Sequence, residues 1–419
     1  MKILTALTLI MSVGISFAGE YSFDISEVEN SVEKIQFSGN IDLKYSLLKI
    51  RDTSPFYKLQ YQDDDLSDFF STYTGSFYFN GDYQTKDIGV FFKTLTEYYD
   101  DSNYNFDFTE LYGTMNFSLN SSLIAGKKAY NWGKGYAFNP AGFVNPVKDP
   151  ENPELSQAGT FSVNYQFNKS LSSSALTNLT FDLTVFPGVK KINERTSELK
   201  DTDLAGKLYF LIYDTDVEVM AYYSEVNSKK IGADFAKNIS TNLEIHGEFA
   251  YLKDQERFNI QNSGLATESS DAVSYLAGIR WLSSQNVTTI LEYYHNQSAM
   301  NCSEFSDYYD YTFSADSATT AVITGINKKF FSVSNLMRDY VYLKLSYPEP
   351  FGWLYFTPSV YSIYNINDES LVIGMPLSYK PITNSEILLT PIIFSGKKIS
   401  EYGSKAYQSK IELKLSLYF

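Results

Sequence analysis

The sequence predicts an all-β fold, a transmembrane antiparallel up-and-down β-barrel of about 18 strands, and three observations point to it. Apolar and polar residues alternate with a period of two along most of the chain, which gives each strand one apolar face. Every second connection between the alternating runs is short and the intervening ones include much longer segments, so turns gather at one end and loops at the other. The 35 Tyr and 31 Phe against 3 Trp, with charged residues at 20%, suit a chain with aromatic girdles and exclude a disordered one.

The elements follow in chain order. Lys2, the apolar stretch Ile3 to Phe17 and the small residue Ala18 read as an export signal cleaved after Ala18. The stretch is shorter than the ~20 residues of a membrane-spanning helix. Residues 19–34 are expected as a short periplasmic segment and 35–419 as the barrel. The first strand, 35–50, sets Ile35, Phe37, Ile41, Leu43, Tyr45 and Leu47 against Gln36, Ser38, Asn40, Asp42, Lys44 and Ser46. The same alternation predicts strands at 71–82, 86–98, 104–118, 122–130, 159–168 and 176–187. In 203–214, Leu204, Leu208, Phe210 and Ile212 oppose Lys207, Tyr209 and Tyr213, and strands at 215–226 and 229–238 follow. In 241–254, Leu243, Ile245, Phe249 and Tyr251 oppose Glu244, His246 and Glu248. Strands at 271–283, 286–297, 337–347, 353–366, 369–380 and 384–396 lead to the last, 405–419, where Ile411, Leu413, Leu415, Leu417 and Phe419 share a face. The long connections are 51–70, 131–158, 188–202, 255–270 and 298–336.

An alternating last strand ending in Phe419 resembles the signal read by the outer-membrane assembly machinery, an expected partner together with outer-membrane lipids and lipopolysaccharide. Such a chain belongs to a diderm bacterium. The formal charge of −15 excludes a generic nucleic-acid binder, and two His with one Cys, Cys302, cannot build a zinc cluster or a disulfide framework. No metal or cofactor is expected.

With apolar faces toward lipid, the other faces project inward. Parity places Glu218, Glu244, His246, Glu248, Arg280 and Glu292 on one part of the wall and Arg338, Lys344, Lys410, Lys414 and Lys44 on the other. Two outcomes compete: a transverse field across a water-filled pore, or neutralised ladders that rigidify a filled lumen. Segment 131–158 carries four prolines and repeated glycines, which preclude a long helix or strand, yet it holds Trp132, Tyr136, Phe138 and Phe143. It is expected to fold inward, its aromatics on the wall and Lys127, Lys128 and Lys134 near a constriction; an ordered external cap is the alternative.

Gly126-Lys127-Lys128 shortly before Trp132-Gly133 and Asn139-Pro140 is similar to the strand-and-loop motif of the alginate-export-like and related proteobacterial outer-membrane barrels. The resemblance spans under a tenth of the chain and implies an eighteen-strand barrel. It does not imply the substrate, because Lys127 and Lys128 stand where those proteins carry Arg and Gln and the lumen lacks their dominant basic lining. Glu292-Tyr293-Tyr294-His295-Asn296 also looks like uncharacterised barrels of this kind.

Catalysis is not expected. His246 lies between Glu244 and Glu248, but spacing identifies no nucleophile beside it, and His295 near Cys302 and Ser303 defines none either. The acidic runs Asp63-Asp64-Asp65 with Asp68, and Glu304, Asp307 and Asp310, read as solvated loops or as calcium ligands without EF-hand spacing. The expected function is porin-like passive diffusion of small hydrophilic solutes or ions, with a homo-oligomer possible. An exporter conduit for a surface polymer and a closed structural or adhesive barrel are the alternatives.

Overall fold

The computed structural model describes residues 35–61, 67–99, 103–146, 148–154, 158–188, 201–261, 264–330 and 335–419. The export signal, the segment 19–34 and the run Asp63-Asp64-Asp65 lie outside them. The strands are β1 (Gln36–Ile50), β2 (Phe69–Gln84), β3 (Ile88–Tyr99), β4 (Tyr104–Ser118), β5 (Ser121–Lys128), β6 (Thr160–Ser170), β7 (Leu176–Phe186), β8 (Asp203–Ile212), β9 (Thr215–Tyr223) and β10 (Lys229–Ser240). They continue with β11 (Leu243–Gln261), β12 (Gly264–Leu282), β13 (Thr288–Asn296), β14 (Asp339–Ser346), β15 (Phe356–Asn365), β16 (Ser370–Gly374), β17 (Leu377–Tyr379), β18 (Ser385–Ser395) and β19 (Tyr407–Tyr418).

Consecutive strands pair antiparallel, except that β16 and β17 both lie between β15 and β18 as two halves of one interrupted strand. The barrel therefore has eighteen staves. The predicted strand 369–380 is broken at Met375-Pro376, because Pro376 has no N–H to give to a ladder. The ring closes where β1 meets β19, with Leu43 opposite Leu415 and Asn40 opposite Tyr418. Gly39 and Phe419 complete that seam with two reciprocal N–H···O bonds of 3.0 Å. Closure leaves no unpaired edge, the condition for a sheet that faces hydrocarbon.

Outward positions remain exposed and apolar: Leu43, Phe77, Val219, Phe235, Phe249, Ile279, Leu291, Leu343, Ile387, Leu413 and Leu415. Leu415 has Leu43 on one side and Ile387 on the other, so the belt is continuous across the seam. Tyr213 and Asp214 both take positive φ and join β8 to β9 as a two-residue turn. The predicted strand 203–214 accordingly ends at Ile212.

Two long connections differ from expectation. Within 255–270, β11 and β12 extend their pairing to Gln261 opposite Gly264. The extension is stabilised because Phe258, Ile260 and Leu265 pack on the helices above. Those helices occupy most of 298–336: α2 is Cys302–Phe313 and α3 is Ser317–Phe330, and a third, α1 (Pro55–Tyr61), packs beside them. Asn301 caps α2 in a capping box with Glu304, and Phe305, Tyr308 and Tyr309 bury its inner face. Polar runs hid this helix from a search for period-two alternation.

Candidate functional site

The described residues of segment 129–159, between β5 and β6, form no helix or strand, only turns, bends and irregular backbone, as its prolines and glycines require. Its contacts are with strand positions that alternate with the exposed apolar row. Glu248 of β11 accepts the backbone N–H groups of Lys134 at 2.6 Å, Gly135 at 2.6 Å and Ala141 at 2.9 Å. Glu292 of β13 accepts those of Tyr136 at 2.5 Å and Ala137 at 2.9 Å. Both carboxylates are buried. Five N–H groups from a segment without regular structure thus solvate two carboxylates that would be costly to bury without partners.

Gly133 makes this approach possible. It holds φ +91°, and a Cβ there would stand 2.5 Å from the Asn139 amide nitrogen and 2.7 Å from Glu248 Oε1. His246 sits beneath, fully buried, with Nε2 2.9 Å from Glu292 and Nδ1 3.5 Å from Glu244. Tyr136 donates its hydroxyl to Glu244 at 3.2 Å, and Arg280 lies over the Tyr136 ring. Lys134 reaches Glu218 at 2.9 Å, and Lys207 reaches the same carboxylate at 3.3 Å. Burial weakens the Lys134 ammonium, but Glu218, Asp234 and Asp216 outweigh it and raise its pKa. Lys148 donates to the Gly135 carbonyl at 2.7 Å, fastening the segment to itself.

Apolar contacts extend the cover. Trp132, Ala141, Phe143 and Val144 pack with Phe186, Ala205, Met220, Tyr222 and Ala250. Phe138 stacks on Tyr294 at 4.5 Å between centroids. Farther along, Glu154 pairs with Lys344 at 2.7 Å.

The remaining predicted residues fall into two groups. Lys44 and Lys414 stand directly opposite each other on β1 and β19; Lys44 and Lys410 pair with Glu412, and Lys414 with Asp42. Arg338 lies one residue before β14 rather than within a strand, and its guanidinium holds the Ala299 carbonyl at 2.9 Å and approaches Glu304 at 3.5 Å. Lys127 pairs with Asp107, and Lys128 lies over the rings of Tyr112 and Tyr130. Glu304, expected in a solvated or ion-binding loop, pairs with Arg257 and caps α2. Among the described residues no group of three or more His, Cys, Asp or Glu is placed to hold a metal ion. Sequence reasoning missed Lys148, Asp234, and the pair Lys93–Glu110 at 2.7 Å. Asp234 shares inward parity with Gly232 and Ala236, a signal the alternation does carry; the role of Lys148 has none.

A closed eighteen-stave barrel with an apolar belt, short turns at one end and long loops at the other is the architecture of outer-membrane porins, and it places this chain in the outer membrane of a diderm bacterium. No protein-family model matches the chain, so the alginate-export-like resemblance rests on its few residues alone. No curated protein matches either. Among solved structures, the chain is similar to OccK2 (OpdF) of Pseudomonas aeruginosa in complex with glucuronate, at 9% identity over 92% of this chain and 96% of that one, with a TM-score of 0.54. It is similar to a BenF-like porin from Pseudomonas fluorescens Pf-5 at 9% identity over 93% and 99% of the chains, with a TM-score of 0.56. OccD3 (OpdP) of Pseudomonas aeruginosa follows at 10% identity over 93% and 92%, with a TM-score of 0.50. At such identities the shared property is the fold.

Proposed function

We propose that this protein is a passive channel for small hydrophilic solutes or ions, narrowed by segment 129–159 lying inside the barrel. The observation that carries the reading is the seating of five backbone N–H groups on Glu248 and Glu292, which parity assigns to the inner wall. An external cap would leave those carboxylates facing water. A lumen of eighteen strands is wide enough to need such a filler if passage is to be selective. The glucuronate in the similar OccK2 structure is a small hydrophilic solute of the class proposed. His246 is engaged with Glu292 on one nitrogen, which suits support of the segment rather than activation of a nucleophile. The apolar belt meets outer-membrane lipids and lipopolysaccharide, and β19 with Phe419 just after it serves recognition by the assembly machinery.

The test is single-channel recording of the refolded mature protein in a planar bilayer under a salt gradient. Discrete conductance steps are expected, and deletion of Gly133 to Asn152 is expected to enlarge them. A folded barrel without steps overturns the channel; an unchanged step size in the deletion variant overturns the narrowing.

A further inference from the structure

The inner wall is not uniformly covered. Much of it from β6 to β18 is buried: Thr184, Glu292, Tyr340 and Ile363 are each 0% exposed, although Arg280 near the end of β12 keeps half of its side chain exposed. The segment 129–159 covers β7 to β14 through its two apolar clusters and its carboxylate contacts. Glu154 and Glu151 carry the cover onward to Lys344 and Lys405. The inner face of β19 and β1 to β4 is covered only in part: Ser46, Leu48, Ile50, Glu110 and Ser416 are buried, but their neighbours are not. There Lys44 keeps 43% and Lys93 51% of its side chain exposed, and Thr72, Thr74 and Ser76 of β2, which share the parity of Lys44, are half-buried.

The charges of this open sector come as close ion pairs, formed between neighbouring strands except for Lys410 and Glu412, which share β19. Lys44 and Lys410 lie 4.0 and 3.5 Å from Glu412, Lys414 lies 3.9 Å from Asp42, and Lys93 lies 2.7 Å from Glu110. We infer that solutes cross this barrel along the single sector formed by β19 and β1 to β4, and that its interstrand ion pairs favour net-neutral dipolar solutes, zwitterions above all, over single ions.

The inference rests on the channel reading and deepens it. A wall of closely spaced opposite charges has a potential that largely cancels beyond the pair length, so a lone ion gains little from it and meets a repulsive neighbour wherever it meets an attractive one. A solute carrying both charges aligns each with its complement, as polar groups do across a matched interface. The transverse field expected between an acidic and a basic wall does not arise in this arrangement. The acidic set Glu218, Glu248 and Glu292 is turned to Lys134 and to backbone N–H groups, and the exposed Arg280 on that side is itself near Glu244 at 4.0 Å, so the paired sector is the larger charged surface that solutes meet.

Two measurements on the reconstituted mature protein test this. In a Cys302→Ser background, a cationic methanethiosulfonate reagent is applied to Thr72→Cys, Ser76→Cys and Thr184→Cys during bilayer recording. Current is expected to fall in the two β2 variants and to hold in the β7 variant. A fall in Thr184→Cys with none in either β2 variant overturns the sector. In proteoliposomes, osmotic swelling by alanine is compared with that by lactamide, its uncharged isomer. The alanine-to-lactamide ratio is expected to drop roughly threefold, the worth of one exposed ion-pair contact, both in Lys44→Met/Lys414→Met and in Asp42→Asn/Glu412→Gln. The two variants are expected to acquire reversal potentials of opposite sign. A ratio unchanged in both, or a wild-type channel strongly selective for one sign of ion, overturns the dipolar preference alone; absence of permeation by either solute overturns the channel reading and this inference with it.

Discussion

At the scale of single residues, the segment 129–159 is held by carboxylates. Glu292 accepts two backbone N–H groups and contacts His246. Glu292→Gln keeps the volume but replaces one acceptor oxygen with a donor facing an N–H. A hydrogen bond to a charged group is worth about 1.5–3 kcal/mol, and losing one is expected to loosen the segment by about that much, read as a larger and noisier open-channel current. A current indistinguishable from wild type would show that Glu292 does not hold it. Outside the strands, Glu401 is fully buried, and accepts the Leu336 N–H, the Tyr340 hydroxyl and the Asn365 amide. Burial pushes its carboxyl up to about 7, against the pull of Tyr340, Leu336 and Lys405. Because the folded value is raised, the folded state binds more protons: stability is fully present below the ordinary value of 4.5 and is lost as pH rises through about 7. At about 1.4 kcal/mol per unit, the change is on the order of 3 kcal/mol. Urea unfolding midpoints are expected to fall between pH 4.5 and 7 in the wild type, and Glu401→Gln is expected to remove that component; a midpoint profile unaltered by the substitution would refute it.

At the scale of elements, strands here are stabilised by what each face meets. Leu413 of β19 is exposed between Tyr45 and Leu389, both on outward positions. A lysine near the middle of a lipid-facing row costs about 2–4 kcal/mol, so Leu413→Lys is expected to lower the unfolding free energy in lipid by that amount. Measured unfolding in liposomes checks it, and a cost near zero would mean that this face does not lie in hydrocarbon. The closing seam depends on contact as well as pairing. Gly39 leaves room for the Tyr78 carbonyl of β2 and for Phe419, whose ring a Cβ would meet at 2.6 Å, and Phe419 in turn stacks on Phe77 at 6.1 Å. Gly39→Val is expected to displace that ring and slow closure, seen as a smaller fraction of heat-modifiable barrel on cold electrophoresis after refolding; an unchanged fraction would show that the ring is not needed to close the barrel.

At the scale of the whole molecule, the lumen and the apolar belt solve different problems. The belt satisfies lipid with single side chains, so its composition follows strand by strand. The lumen is wider than any side chain is long, so whatever narrows it, segment 129–159 in the function proposed above, must be chain that leaves the wall. One apolar cluster runs from Ala137 and Phe138 through Tyr340, Tyr342 and Ile363 to Phe305, Tyr308 and Ile323, joining the segment 129–159 to the helices at the mouth. Barrel interior and outer loops are therefore expected to unfold together: replacing Tyr308 by Ala, at about 3–5 kcal/mol for a buried aromatic, is expected to increase protease cleavage within 131–158 as well as within α2. Cleavage confined to α2 would show that the two regions are independent.

What the amino-acid order determined by itself is the repeat along each strand. A side-chain period of two fixes which residues share a face, so the eighteen staves and the apolar belt were legible, and Lys44, Glu218, His246, Glu248 and Glu292 could be set on the face opposite that belt. Composition likewise made 131–158 irregular. Short-range pattern is blind to partners distant in the chain: Tyr136 and Glu292 meet across 156 positions, and nothing in either segment's periodicity names the other. For the same reason the break at Pro376 was passed over within an otherwise alternating run, and α2 and α3 were hidden in a long connection read for its acidic residues rather than for a helical repeat. Only the tertiary structure decided which wall residues segment 129–159 contacts, because that depends on where a segment without repeating structure finds acceptors for its N–H groups.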